Sequence, residues 1–439
     1  MWTCQARPAH TVEFDQVLHI PITAISSGIG YIRQMSRKTL VSASEARAEI
    51  LAVVSICQSE TVPLTEALGR VLAADVIAEE DLPGFDNASM DGYGLHLNGD
   101  TASNGQEQKF EVIGESSAGS AFQGNVGSGQ SIRIMTGAPV PVSVNAVIEV
   151  EKVHEKGEAI SVAERVTTGR NIRRKGEDVR SGERVITSGT LLHSFHIGVL
   201  AALGKNSVIV ARKPRINIVT TGSELVPPGV HPGHGKVRNS SAYLVPAMAA
   251  EAGAVPGPVV TVGDDPNELR RSLRESLLTD ILVTTGGISA GKYDLVLDTL
   301  EGLGVQLKFW KVKIKPGMPM AFGVSTTGVP VFCLAGNPVS TAVTFRQFVV
   351  PAIQKMLGMV TSSAGRIRAA LQHEIAKRDG KVHFSRGILE ISNGTYTVRT
   401  TGSQSSGMLS SLVKANCLIV LPEHETDFPK GKLVEVEVL

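Results

Sequence analysis

Apolar and polar positions follow two rhythms along this chain. In RINIVTTGSEL, residues 215–225, Ile216, Ile218 and Val219 lead through Thr220 and Thr221 into Gly222 and Ser223. In ILVTTGGISAGKYD, residues 281–294, Ile281, Leu282 and Val283 lead into Gly286 and Gly287; in VFCLAGNPVST, residues 331–341, an apolar run meets Gly336, Asn337 and Pro338. Short β-branched runs closed by small residues read as buried strands. Three that end alike predict one mostly parallel sheet whose C-terminal edges share a crevice. Between the first two, Asp265 reads as an N-cap, Pro266 as the first helical residue and Glu268 as the return partner of a capping box. Leu269, Leu273 and Leu277 then recur at i+4, which predicts a helix on that sheet. A helix is expected from Leu191 to Gly204, packed under the same sheet, and a last one from Val339 to Phe348. The first-turn N–H groups of the latter would face the crevice and favour negative charge there.

Elsewhere, Ser42 caps a helix reaching Cys57, with Glu45 at N3 and Ala46, Ile50, Val53 and Val54 on one side. A short helix is expected around Thr65 to Leu72. From Phe110 to Val166 the period falls to two (FEVIGE, SIRIM, AVIEVEKV, AISVAERV), the mark of a β-rich domain. Beyond residue 360 the runs KVHFSRGILEISNGTYTVRT, NCLIVLPEHE and KLVEVEVL, with NG and PKG turns, predict a small C-terminal barrel or sandwich. The fold class is thus multidomain α/β. It has a central three-layer domain (195–352), an inserted β-rich domain (77–162), an elongated mixed N-terminal domain (39–76 with 163–194) and a C-terminal β-barrel-like domain (360–439), after an N-terminal extension (1–38).

Composition narrows the partners. Lys and Arg number 43 against 42 Asp and Glu, a net charge of +1, so no global field recruits nucleic acid, although a local anion site is open. Cys4, Cys57, Cys333 and Cys417 have neither metal-pair spacing nor a disulfide framework, which fits a reducing cytoplasm. The longest apolar runs fall short of a membrane span, so no membrane partner is expected.

Chemistry concentrates in a few stretches. Asp81, Asp86 and Asp91 punctuate DLPGFDNASMDGYG, residues 81–94. They read either as a solvated turn cluster or as carboxylates that hold a metal beside a phosphorylated ligand. Thr136, beside Gly137, either meets a phosphate or caps its turn. In NIRRKGEDVRSG, residues 171–182, Arg173, Arg174, Lys175, Glu177 and Asp178 are either a self-compensating surface or the rim of a site. His193 and His196 have no third ligand at zinc spacing and read as ordinary histidines. Lys311, Lys313 and Lys315 fall on one face of a strand expected from Trp310 to Pro319, with Lys315 nearest the Pro316–Gly317 turn and able to reach a phosphate.

In order, LPGFDNASMDGYG, IRIMTGAPVP, NIRRKGEDVRSG, IVTTGSEL, DDPNELR, TTGGISAGKYD, IKPGMPMAFG and LAGNPVST resemble the molybdopterin molybdenumtransferases of bacteria and the matching domain of gephyrin, over roughly residues 40–439. The resemblance implies a homodimer whose active site lies between the α/β domain of one subunit and the inserted domain of the other. It implies insertion of molybdate, or tungstate, into adenylylated molybdopterin with release of AMP, dependent on Mg2+ or another divalent cation. A molybdopterin adenylyltransferase and molybdoenzyme-maturation proteins are the further partners it suggests. Matched by motif, Asp91, Glu177 and Lys315 would be catalytic. Thr136, Gly222, Ser223, Gly286, Gly287, Ser289, Lys292, Asn337, Pro338 and Ser340 would bind substrate, and Asp91, Glu177, Asp264 and Asp265 would serve the metal. Ser223, Asn239, Lys292 and Met318 depart from the family's usual residues. They prompt an alternative reading, a protein of this fold that binds molybdopterin or finished cofactor for storage, transfer or regulation.

Overall fold

The computed structural model describes residues 38–99, 107–288, 294–360, 365–392 and 394–439; Ser289 and Lys292 lie outside the described residues. The three glycine-ended runs become neighbouring strands. Arg215–Thr221, Ile281–Thr285 and Pro330–Leu334 lie side by side and parallel within a seven-stranded sheet. Val255–Val262 extends it on one side in parallel. On the other side come Met320–Val324, antiparallel to both its neighbours, then Gln306–Val312, and Lys38–Val41 at the edge.

Alternation along the strands decides which layer each side chain meets. Ile216, Ile218, Ile281, Val283, Phe332 and Leu334 pack with Val245, Ala249, Val343 and Ile353 on one face. Val219, Leu282, Val331 and Cys333 pack with Leu269, Leu273, Val296 and Leu300 on the other. This is the expected three-layer arrangement. Helices Ser241–Glu251 and Pro338–Met356 cover the first face, Pro266–Ser276 and Leu295–Gly302 the second. Strand Arg215–Thr221 leads to a helix on the first face and its neighbour Ile281–Thr285 to one on the second. The sheet therefore has a topological switch point between them, where open α/β folds bind ligands.

The helix after Asp265 has the expected N-cap and Pro266, but no capping box closes with Glu268: Asp265 Oδ1 accepts the N–H groups of Asn267 (2.8 Å) and Glu268 (3.2 Å), and Leu269 and Leu273 are buried. Ser42 closes a full capping box with Glu45, but that helix ends at Val53 rather than Cys57, because the Cys57 N–H is drawn to the Met356 carbonyl. The last helix runs to Met356, beyond the expected Phe348, through a π turn at Phe345–Val349. Pro351 has no N–H and its ring crowds the carbonyl four residues back. The preceding turn widens, and the Val350 N–H bonds to the Phe345 carbonyl instead.

Three expectations are corrected. The helix Ser194–Ala202 does not lie under the central sheet; Leu192 and Leu200 pack with Val62, Leu72, Ile186 and Val208 around the separate strand pair Ser59–Pro63 and Ser207–Ala211. The helix expected around 65–72 is a single 3-10 turn, Leu64–Glu66. Gly69 turns the chain at φ +72°, and Val71 and Leu72 join β-bridges instead. The three lysines do not lie on one strand: a bend at Lys313, whose N–H goes to the Val41 carbonyl, divides the run into Gln306–Val312 and Ile314–Lys315, and Lys311 takes φ +69° within the first. Lys311 lies over the Trp310 ring, 3.9 Å from its centre.

The two β-rich regions form as expected. Between residues 92 and 162 a six-stranded sheet orders Ala146–Glu149, Gly92–Leu95, Gln130–Ile134, Gln108–Ser116, Ala159–Val162 and Val153–Lys156. At the C-terminus, Val382–Ser392, Thr395–Thr400, Arg366–Leu371, Leu433–Val438 and Cys417–Leu421 close into a barrel when the last pairs with the first. Closure leaves those strands no free edge.

A bidentate pair ties the Ser207–Ala211 strand to the sheet: both Arg212 terminal nitrogens lie 2.8 Å from Asp280, which also accepts the Arg215 N–H at 2.7 Å. The Arg212 guanidinium holds the Asp280 carboxyl below its ordinary range despite partial burial. A lowered folded-state pKa contributes stability at neutral pH that fades as pH falls through the carboxylate range, below about 4. Asp280→Asn should lower stability by about 2 kcal/mol at pH 7. The difference from the parent in chemical denaturation should shrink toward pH 3.

Candidate active site

The three strand tips converge. Gly286 has φ +87°, and its N–H donates to the Leu334 carbonyl at 3.1 Å. A Cβ on Gly286 would collide with the Thr221 carbonyl oxygen, and one on Gly336 would lie 3.3 Å from Gly286 Cα. Three backbones therefore meet at distances only glycine allows. The Gly222 N–H is likewise used, by the Val262 carbonyl at 3.0 Å. What Gly222 and Gly286 supply is close approach rather than free donors, which refines the expected cradle. The groups left to face an anion are the exposed Gly287 backbone and the helix start after Asn337, where Pro338 takes N1 and Ser340 the first turn.

On the flank, the Ser223 hydroxyl donates to Asp264, and the Asp264 N–H returns a bond to Ser223 Oγ at 3.2 Å. Lys236 donates to the Ser223 carbonyl. Asn239 is buried on the other face, where its amide donates to the Thr220 (2.8 Å) and Thr261 (3.1 Å) hydroxyls and its oxygen accepts the Ala242 N–H. It braces two strands and a helix start. Lys315 is exposed beside the Pro316–Gly317 turn, which packs against Ser340 and Thr344 of that helix start. Its ammonium lies 3.8 Å from Asp379 of the C-terminal region, a partner with no signal in the sequence.

A second face gathers the other motifs. The strand Asn87–Ala88 pairs with Ile172–Arg173, and Ala88 exchanges backbone bonds with Gly137 and Ala138. Asp91 Oδ1 accepts both the N–H and the hydroxyl of Thr136, each at 2.7 Å, and these bonds hold its carboxyl below the ordinary range. The sequence does not predict this contact between the two motifs, since it leaves Thr136 either meeting a phosphate or capping its turn. The other carboxylates of the stretch are clamps. Asp86 accepts from the Lys175 N–H (2.8 Å) and Arg174 (2.6 Å), and Asp81 accepts from the Ser181 N–H (2.9 Å). Glu177 accepts the Arg174 N–H at 2.7 Å. Phe85 and Met90 remain exposed beside them.

The crevice and this loop face share no hydrogen-bonded residue among those described. Nor do the described residues bring three His, Cys, Asp or Glu side chains together as a metal set. Asp91 serves Thr136, Glu177 serves Arg174, Asp264 serves Ser223, and Asp265 is spent as a helix cap. Within one chain the four expected metal carboxylates do not form a cation site. A cavity of about 680 Å³ lies elsewhere, between helix Ala43–Val53 and the barrel, lined by Arg47, Arg366, Phe348 and Phe384 among others. No strand tip opens into it. His196 Nδ1 accepts the His193 N–H at 3.0 Å, so these histidines cap a helix.

Sheet, switch point and glycine tips define an open α/β domain with a crevice suited to an anionic ligand, and comparison with known proteins names its family. Residues 41–204 match the MoeA N-terminal region (domain I and II), 217–355 the probable molybdopterin binding domain, and 368–439 the MoeA C-terminal region (domain IV). The chain is 33% identical over 402 residues to molybdopterin molybdenumtransferase 2 of Mycobacterium tuberculosis, covering 90% of this chain and 98% of that one. It is 34% identical over 405 residues to the Haemophilus influenzae molybdopterin molybdenumtransferase, covering 91% and 98%. The crystal structure of the molybdopterin biosynthesis moeA protein from Pyrococcus horikoshii OT3 superposes with a TM-score of 0.79 at 31% identity, covering 91% of this chain and all of that one. The chain belongs to the MoeA family, enzymes of molybdenum cofactor biosynthesis with molybdopterin molybdenumtransferase activity. Among the described residues no helix is long and apolar enough to cross a membrane.

Proposed function

We propose that the crevice grips adenylylated molybdopterin by its phosphates and that the enzyme exchanges the adenylyl group for molybdenum. Water cleaves the phosphoanhydride to give AMP and the pterin phosphate. The two dithiolene sulfurs bond to molybdate, and one oxo group leaves as water with the two thiol protons. The observation that carries this reading is the meeting of three parallel strand tips at the switch point beside the helix start that follows the exposed Asn337. Fixed N–H dipoles and close backbone approach suit phosphate oxygens there. Gly287, Asn337, Pro338 and Ser340 bind and orient the phosphates, Gly222 and Gly286 let the backbone come close to them, Ser223 lies on their flank, and Lys315 meets the oxyanion.

The loop face with Asp91, Thr136 and Glu177 completes the site from a second copy of the chain. Magnesium, when bound, neutralises charge at the anhydride. Its oxygen donors in this reading are divided between chains, Asp91 and Glu177 on one and Asp264 on the other. An adenylyltransferase that makes the substrate and maturation proteins that accept the product are the further partners. The test is AMP release by the purified protein from adenylylated molybdopterin with magnesium and molybdate. Multiple turnovers support the reading, and pterin binding without AMP release contradicts it.

A further inference from the structure

We propose that Asp379 and His383 of the C-terminal barrel are positioning residues for Lys315, and that together they make its grip on a tetrahedral dianion pH-dependent. The inference rests on the reading that Lys315 meets the oxyanion. Lys315 and His383 face each other in register across the parallel pair formed by Ile314–Lys315 and Val382–Ser392. Asp379 lies between them, with Oδ1 at 2.8 Å from His383 Nε2 and Oδ2 at 3.8 Å from Lys315 Nζ. One carboxylate thus serves two bases. The imidazole bond has hydrogen-bond length, whereas the ammonium contact is an ion pair beyond it.

Lys315 is loosely held and 58% exposed, while the His383 side chain is 12% exposed. On its other side, the Pro316–Gly317 turn packs on Ser340 at the helix start of the crevice. The ammonium can therefore turn toward a bound anion or back toward Asp379. A neutral imidazole leaves Asp379 with a full charge that competes for Lys315. A protonated one neutralises Asp379 and frees the ammonium for the anion.

The charged groups around the imidazole are Asp379 from the preceding turn, Lys315 from the adjoining strand and Lys377. Lys381 acts on Asp379, and Glu423 and Glu425 act on Lys377. The Lys377 ammonium is bonded to the carbonyls of Lys381 (2.9 Å) and Glu423 (3.3 Å). Burial, reinforced by the two lysines and opposed by Asp379, keeps His383 below its ordinary pKa, so the imidazole is neutral at pH 7. A dianion on Lys315 favours the charged imidazole and so raises its pKa, and by linkage affinity rises as pH falls from the bound-state pKa toward the free-state one and levels off below it.

Sulfate is the probe, since its charge is constant above pH 3. Calorimetry on the full chain should show about fivefold or greater tightening of sulfate binding between pH 8 and pH 5.5. His383→Gln should flatten that slope, and Asp379→Asn should bind sulfate more tightly at pH 8 and lose the slope. An unchanged slope in both variants, weaker binding in Asp379→Asn, or no saturable sulfate binding by the parent would each overturn the proposal. AMP release measured alongside separates the two claims. Turnover with a slope untouched by His383→Gln refutes this inference alone, while the expected slopes without turnover refute only the functional reading.

Discussion

Gly286→Ala is expected to reduce AMP release by about 100-fold or more, the scale on which misplacing bound groups by an ångström acts. At φ +87° a side chain is already strained, by about 1–3 kcal/mol. At this position it must also displace the Thr221 carbonyl, and with it the tip of the next strand. Gly328 is the matched control. It also has φ +87°, but nothing stands within 4 Å of its missing Cβ. Gly328→Ala should show a similar backbone cost in thermal denaturation and normal AMP release. Equal loss of activity in both variants would mean that strain, not crevice geometry, is what the glycine relieves.

Asp91→Asn should lower AMP release by about 100- to 1,000-fold, the usual range when a group that stabilises developing charge is removed, with almost no change in melting temperature. The asparagine oxygen can still accept from Thr136, so the loop stays folded while the negative charge goes. Thr136→Val should cost less, because Asp91 keeps the Thr136 N–H. The shared-site reading adds a sharper expectation. Co-expressed Asp91→Asn and Gly286→Ala chains form heterodimers in which one composite site carries both lesions and the other carries neither, so purified heterodimers should show about half of wild-type activity. A site housed within a single chain would leave such heterodimers inactive.

The parts of this protein that could be read from its sequence are those governed by local rules. β-branched runs closed by glycine gave the neighbouring strands at 215, 281 and 331, and Asp265 with Pro266 marked a helix start where it occurs. What stayed hidden depends on distant partners. The apolar residues of Ser194–Ala202 suit any core, and only the pairing of Ser59–Pro63 with Ser207–Ala211 decides which one they enter. Lys38–Val41 is too short and too exposed to announce itself as a sheet edge. Asp81 and Asp86 read equally as turn residues or as metal ligands, and become clamps once Ser181, Arg174 and Lys175 fold against them. The single lysine strand failed at Lys313, which turns its N–H to the distant Val41 carbonyl. Asp379 reaches Lys315 only because the barrel packs its first long strand against the crevice domain.

The most direct test is where a phosphate settles. Crystals of the full chain soaked with AMP should place the phosphate within hydrogen-bond distance of the Gly287 backbone and the helix start at Val339 and Ser340. Phosphate density among Arg47, Arg366 and Arg368 in the separate 680 Å³ cavity, with the strand tips bare, would contradict that account.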